Sequence, residues 1–323
     1  MQSPAWYYHR LRQMSPAEIA WRVHDWLRDR LVDRLRVPLG LYPHLPAAAA
    51  DARPGFRVHG LYGGGAAAAD RPQPPAALAA ARRAQLIERA EQICAHRLSF
   101  LGLEAAFLGD PIDWHRDHAS GRPAPRGYAA GIDYRDFRVT GDCKLVWEPN
   151  RHYHLVVLAR AFRATGERRY AASLLGQLES WFAANPFGYG MNWRSPLELG
   201  VRLINWIWAL DLVRDDYPLA SDFLARLLES VHLHCWEIQR KYSRGSSANN
   251  HLIGEAAGVY LACAYFPHLP ESARWRTRAR AILEAEIERQ TWPDGGSREQ
   301  AVGYQIFVLQ FFLLAGLVAR AVG

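Results

Sequence analysis

The chain has 323 residues, 50% hydrophobic and 22% charged, which excludes wholesale disorder and supplies a large core. Lys plus Arg number 39 against 32 for Asp plus Glu, and the formal charge of +7 calls for an acidic partner: nucleic acid, anionic lipid or acidic polysaccharide. The 12 Trp, 14 Tyr and 12 Phe read as core first and as a ring-lined cleft second, while Cys94, Cys143, Cys235 and Cys263 lack the close spacing of a zinc site and suggest no disulfide framework.

The N-terminus lacks the uninterrupted apolar core of a signal peptide, because charges recur at Arg10, Arg12, Glu18, Arg22, Asp25 and Arg28. Location is therefore left open, with the cytoplasm as the default and the periplasm as the alternative. No stretch is expected to reach the ~18–20 apolar residues of a membrane span. Ser15-Pro16-Ala17-Glu18 is a helix start: a Ser cap, Pro at the first position, Glu at the third. Ile19, Trp21, Val23, Trp26, Leu27 and Leu31 follow as a broad apolar stripe, expected to pack on the domain rather than on a membrane surface.

From about residue 37 to 75 the chain is rich in Pro, Gly and Ala, with Gly63-Gly64-Gly65 and Pro72, Pro74 and Pro75, and reads as an irregular connection. Leu86, Ile87, Ala90, Ile93 and Cys94 lie at helical spacing and predict a helix over 76–101. The stretch 109–141 is polar and punctuated by Gly and Pro. It holds Trp114, Tyr128 and Tyr134 and predicts short strands or surface loops. From Glu148 onward, apolar stripes predict helices over 152–164, 170–183, 197–213, 222–242, 251–266, 273–291 and 304–322. Stop signals such as Thr165-Gly166, Asn185-Pro186 and Pro293-Asp294-Gly295-Gly296 make the connections short, so neighbouring helices run antiparallel. Residues 1–75 are thus an N-terminal helix and irregular connection, and 76–323 a mainly α domain of helical hairpins.

Three segments set unusual polar residues against apolar helices: Lys144 to His154, Asn192 to Arg202, and the pair formed by Ser246–His251 and Asp294–Tyr304. Asn249, Asn250 and His251 sit where a helix begins, and orphan N–H groups there favour an anion. Tyr304 opens the last helix after a Gly-rich turn. Taken alone, Asn250 reads first as a helix cap and Tyr304 first as a core ring. Trp147, Asn192, Trp193 and Arg202 offer a stacking platform and a cation for a charged sugar, and at least two are expected to border one cleft with Asn250. The opposing expectation is that these rings seal helix ends.

The segments NNHLIGEAAGVYL and DGGSREQAVGYQIFVLQFF resemble the heparinase II/III-like polysaccharide lyases and, more distantly, alginate lyases. KLVWEPNRHYHLVVLARAFRATGERRY and NWRSPLELGVRLINW look like the same family's helical region, so the resemblance covers roughly 130–320. It implies an incomplete α/α toroid and β-elimination of a uronate polysaccharide. By resemblance, Asn250 and His251 bind the uronate carboxylate, whose neutralisation acidifies the adjacent C5 proton. Tyr304 protonates the leaving glycosidic oxygen, and Arg202, Arg298 and Glu299 support the subsites. Such lyases carry a C-terminal β-sandwich that supplies a His or Tyr base and often a structural metal, and these 323 residues do not include it. The chain alone is expected to need no cofactor, to bind acidic oligosaccharide weakly and to show little elimination. His152 or His154 could be proposed as base, and both fit a helical face equally well.

Two other readings stand. A glycoside hydrolase on a similar helical ring needs two carboxyls, for which Glu148, Glu198, Glu255, Asp294 and Glu299 are available. A noncatalytic module would hold acidic glycan without cutting it. Scattered arginines with no recognisable module argue against nucleic acid.

Overall fold

The computed structural model describes residues 8–9, 12–46, 53–58 and 75–323. The triple glycine 63–65, Pro72 and Pro74 lie outside the described residues. Helix α1, Pro16–Leu27, begins as its sequence requires: the Ser15 hydroxyl accepts the Glu18 N–H at 3.1 Å. A π-helical turn, Arg28–Val32, and a short α2, Asp33–Arg36, extend it. Its apolar stripe does not pack as expected: Val23, Trp26, Leu27 and Leu31 remain exposed. The segment attaches instead through charge. Arg28 donates to the Arg240 carbonyl at 2.9 Å, and the Ser246 hydroxyl donates to Glu18 at 2.9 Å.

Helix α3 covers Ala76–Cys94, shorter than its apolar spacing predicts. His96 adopts a left-handed φ of 56° and takes the chain out of the helix. Strands β1, Arg97–Phe100, and β2, Leu103–Phe107, then form an antiparallel hairpin. Leu101 and Gly102 supply the two positive φ values of a tight turn. Among the described residues these are the strands, and they precede the stretch where strands were expected. Within 109–141 there are loops, isolated bridges and the short helix α4, Phe137–Thr140. Helix α5, Cys143–Asn150, starts earlier than the apolar stripes indicate because Asp142 caps it, accepting the Lys144 N–H at 2.9 Å.

Seven long helices follow: α6 Tyr153–Thr165, α7 Arg168–Ala184, α8 Pro196–Val213, α9 Ser221–Lys241, α10 Asn250–Tyr265, α11 Ser272–Gln290 and α12 Val302–Val322. Helices α6, α8, α10 and α12 pack side by side as an inner row, and α7, α9 and α11 return on the outside. This alternation is an incomplete α/α toroid of antiparallel hairpins. The inner helices α8 and α10 are buried almost throughout, and they approach through glycines. A methyl on Gly258 would lie 2.4 Å from the Gly200 Cα, so the contact excludes any side chain there.

The centre of the core is aromatic and polar together. Trp114, Trp181, Trp206 and Arg202 are fully buried, with His152 and His234 beside them. The Trp181 indole donates to Asn150 Oδ1 at 2.8 Å, and that of Trp206 to His152 Nδ1 at 2.7 Å. Helix α12 packs on α10 where the Phe311 ring meets Gly254, while Ile306, Leu309 and Leu313 stay exposed. By length and composition α12 could cross a membrane, which corrects the expectation that no stretch reaches that length. The four cysteines are free thiols.

Candidate active site

Helix α10 opens on Asn249, whose side chain accepts the His251 N–H at 3.1 Å. The next residue, Asn250, is buried and engages a carboxylate. Its backbone N–H donates to Glu299 Oε1 at 2.7 Å, and its Nδ2 donates to Oε1 and Oε2 at 3.0 and 2.8 Å. Both side-chain contacts go to one carboxylate, so the second amide hydrogen points elsewhere, and no other acceptor among the described residues takes it. Glu299 comes from the turn between α11 and α12. That turn is closed by Gly295 at a φ of 88° and by Trp292 donating to the Gly296 carbonyl at 2.8 Å. Gln290, at the end of α11, donates to the Ala248 and Asn249 carbonyls and ties the two segments together.

His251 is exposed at this helix start. Packing on its buried side lowers the imidazole's pKa below the ordinary histidine value, against the opposing pull of Glu198 and Glu299. Behind it Arg151 forks onto Glu198, with Nε and Nη2 donating to the two carboxylate oxygens at 2.8 and 2.9 Å. Its Nη1 reaches Glu148 at 2.9 Å, and its guanidinium lies 5.9 Å from the Phe307 ring centre. Tyr304 stands one turn before Phe307 on α12 and is 48% exposed, so it is not a core ring. Its hydroxyl has no hydrogen-bond partner among the described residues. Arg151 is the residue that sequence reasoning passed over. Its place in the segment Lys144–His154 was visible, but the pairing with Glu198, 47 residues away, was not.

Other candidates turn inward. Arg202 is fully buried and donates to the Asn150 carbonyl at 2.8 Å, the Asn192 carbonyl at 3.1 Å and His234 Nε2 at 2.9 Å. Burial without a carboxylate partner pulls its pKa down to about 9. Its guanidinium lies 4.5 Å from the Trp181 ring centre. It is a core brace, which corrects its reading as a substrate cation. Asn192 is likewise buried and donates to the Trp114 carbonyl and Asn185 Oδ1. Trp193 donates to the Asn185 carbonyl at 3.1 Å and keeps 4% of its surface exposed, on a cavity of about 150 Å³. Trp147 donates to the Met191 carbonyl at 2.9 Å and lies beside Tyr134, sealing a loop. Arg298 is exposed and lies over Trp292. Glu299 is occupied by Asn250, so it positions the amide rather than meeting substrate.

His152 and His154 are buried, and desolvation drives both pKa values far down, that of His154 to about 3. Neutral and enclosed, neither reaches a ligand as a base. Among the described residues no group of three His, Cys, Asp or Glu side chains is placed to hold a metal.

The inner and outer helical rows define the chain's class, an incomplete α/α toroid with polar residues at one end of its inner helices. Residues 80–323 match the family described as the heparinase II/III N-terminus, and the chain belongs to that family. A heparin-sulfate lyase of Bacteroides stercoris is 29% identical over 217 residues, covering 61% of this chain and 32% of that protein. One of Pedobacter heparinus is 27% identical over 193 residues, covering 58% and 28%. The chain thus spans about a third of the length of the relatives it matches. Among solved structures, a heparan sulfate lyase from Pedobacter heparinus superposes with a TM-score of 0.56 at 22% identity, over 84% of this chain and 38% of that one. A heparinase III structure gives 0.58 at 18% identity, over 73% and 35%. These likenesses establish the shared fold.

Proposed function

We propose that this chain is the toroid part of a lyase that cleaves a uronate-containing glycosaminoglycan by β-elimination. The observation that carries this reading is the carboxylate held by Asn250. A backbone N–H and a side-chain amide at the first turn of a 16-residue helix converge on one carboxyl group. The same turn has a second amide hydrogen to give, and the helix dipole favours an anion there. A uronate carboxylate bound by that hydrogen and by His251 is partly neutralised, which stabilises the carbanion formed when a base, contributed in such lyases by the C-terminal β-sandwich, takes the C5 proton. The C4–O4 bond then breaks, the C4–C5 double bond forms, and the Tyr304 hydroxyl gives its proton to the leaving oxygen. The names of the relatives support the substrate class, and the net charge of +7 suits a polyanion.

The hydrolase reading loses support because its carboxyls are already engaged. Glu148 and Glu198 hold Arg151, Glu299 holds Asn250, and the exposed Asp294 caps its own turn by accepting the Gly296 N–H at 2.9 Å. Glu255 is fully buried, and both its oxygens accept from Ser243; burial pushes its pKa up to about 7. The deciding assay incubates a longer protein, this toroid joined to the family's C-terminal β-sandwich, with heparan sulfate and follows the ultraviolet absorbance of the unsaturated uronate. Release of reducing ends without that chromophore overturns the elimination reading in favour of hydrolysis.

Glu299→Ala frees the Asn250 amide to rotate. Its expected effect is a fall in kcat of about tenfold or more, the worth of one charge-assisted hydrogen bond, with a smaller change in KM. Glu299→Gln keeps an acceptor and recovers part of the loss. Equal kcat in the alanine variant and the parent would remove the positioning role.

A further inference from the structure

The N-terminal helical segment lies outside the part of the chain that matches the family, which begins at residue 80. Yet it forms one wall of two adjoining cavities. One, of about 490 Å³, is lined by Arg30 and Arg34 facing Tyr128, Gly131, Ile132 and Asp133. The other, of about 150 Å³, is lined by Trp21 and Asp29 facing Ala130, Arg194, Lys241 and Ser247. Asp29 and Ala130 line the smaller cavity and their chain neighbours Arg30 and Gly131 the larger, so the two lie side by side along one trough, with the Tyr128 hydroxyl donating to the Asp29 carbonyl at 2.8 Å between them. Ser247 places its inner end three residues before Asn250.

The charges along it divide into two groups. Arg28 pairs with Asp25 and Asp29, and Lys241 with Asp29 and Glu237. Arg30 and Arg34 are exposed and have no ion-pair partner among the described residues. Arg194 also has none; its guanidinium lies 5.0 Å from the Tyr134 ring centre. Five cations and three carboxylates line the trough, and the two arginines of the larger cavity face the single carboxylate of Asp133. Two like charges four residues apart weaken a helix slightly, and a bound anion relieves that repulsion. Tyr128 and Trp21 add ring surface for the apolar face of a sugar. The larger cavity is of ordinary ligand-site size.

We propose that this trough is a binding subsite for an anionic oligosaccharide, with Arg30, Arg34 and Arg194 as its cations, so that the N-terminal helix extends the candidate active site. This rests on the lyase reading and adds a subsite to it. The test is calorimetric titration of the whole chain with a heparin hexasaccharide and with an unsulfated uronate hexasaccharide. The variants are Arg30→Glu/Arg34→Glu and, as a control of equal charge change on exposed α3, Arg82→Glu/Arg89→Glu.

The expected result is a Kd raised about tenfold or more by the trough pair and less than twofold by the control, with the difference shrinking in high salt. A loss confined to the heparin probe assigns the trough to sulfates, and a loss with both probes assigns it to carboxylates. Equal weakening by the two pairs, or none by the trough pair on a parent that binds, overturns the subsite and leaves the lyase reading standing. A parent that binds neither probe overturns both.

Discussion

In a longer protein that joins this toroid to the family's C-terminal β-sandwich, Tyr304→Phe is expected to lower the elimination rate by ~10²-fold or more while leaving oligosaccharide affinity within about twofold of the parent. The tyrosine is exposed at the first turn of α12, and its hydroxyl is free of partners among the described residues. Phenylalanine keeps the half-exposed ring, so only the proton donor is lost. Asn250→Ala is expected to cost a similar factor by a different route: it removes the hydrogen bond that strengthens as the uronate carbanion forms. It also leaves Glu299 without its side-chain partner. Steady-state rates of unsaturated-uronate formation, with affinity measured separately, distinguish the two variants. Full activity in Tyr304→Phe would sink the assignment of the acid, and full activity in Asn250→Ala that of the carboxylate site.

Trp181→Ala is expected to destabilise the fold by about 3–5 kcal/mol, the range for deleting a buried tryptophan. The ring is fully buried between Arg202, 4.5 Å from its centre, and Trp206, 5.4 Å away. Its N–H satisfies Asn150 Oδ1, whose amide in turn donates to the Trp114 and Val146 carbonyls. Truncation opens a cavity, strips the buried guanidinium of its ring and orphans an acceptor, and the three losses add in one direction. Chemical denaturation with a shifted midpoint and an unchanged slope is the readout. Trp181→Phe, which keeps a ring but loses the N–H, should fall between alanine and the parent. A midpoint shift worth less than about 1 kcal/mol in the alanine variant would mean that this box of rings and histidines is not a unit of stability.

The long helices from 152 onward were legible because burying one side of a helix imposes a 3.6-residue period on the sequence. The helix over 76–94 was legible in its body but not at its end. His96 turns left-handed there, and the following residues pair as a hairpin, a choice made by neighbouring strands rather than by local spacing. Helix α5 was missed because its apolar positions are few and its start is fixed by the Asp142 cap. In the candidate site, Asn249 and Asn250 were readable as residues of a helix start. Glu299 as the partner of Asn250 was not, since 49 residues separate them and a carboxylate in a loop carries no periodic signal.

The sequence by itself determined the mainly helical class, the hairpin order and the helix starts that carry Asn250, His251 and Tyr304, because these follow from short-range patterns of apolar residues, caps and breakers. Only the tertiary structure decided which polar residues face outward. Arg202, Asn192 and Trp193 have the composition of a sugar site, yet they lie in the core. Their N–H groups are met by carbonyls and side chains brought from other segments, which offsets most of the cost of burying them, while Asn192 Oδ1 is buried without a partner among the described residues. Conversely, Val23, Trp26 and Leu27 of α1 are exposed, while Glu18 of α1 docks on the loop before α10 and Arg28, in the turn that follows, on α9. Burial is a property of the neighbours a residue acquires on folding, and periodicity records only that an element has two faces, not what each face will meet.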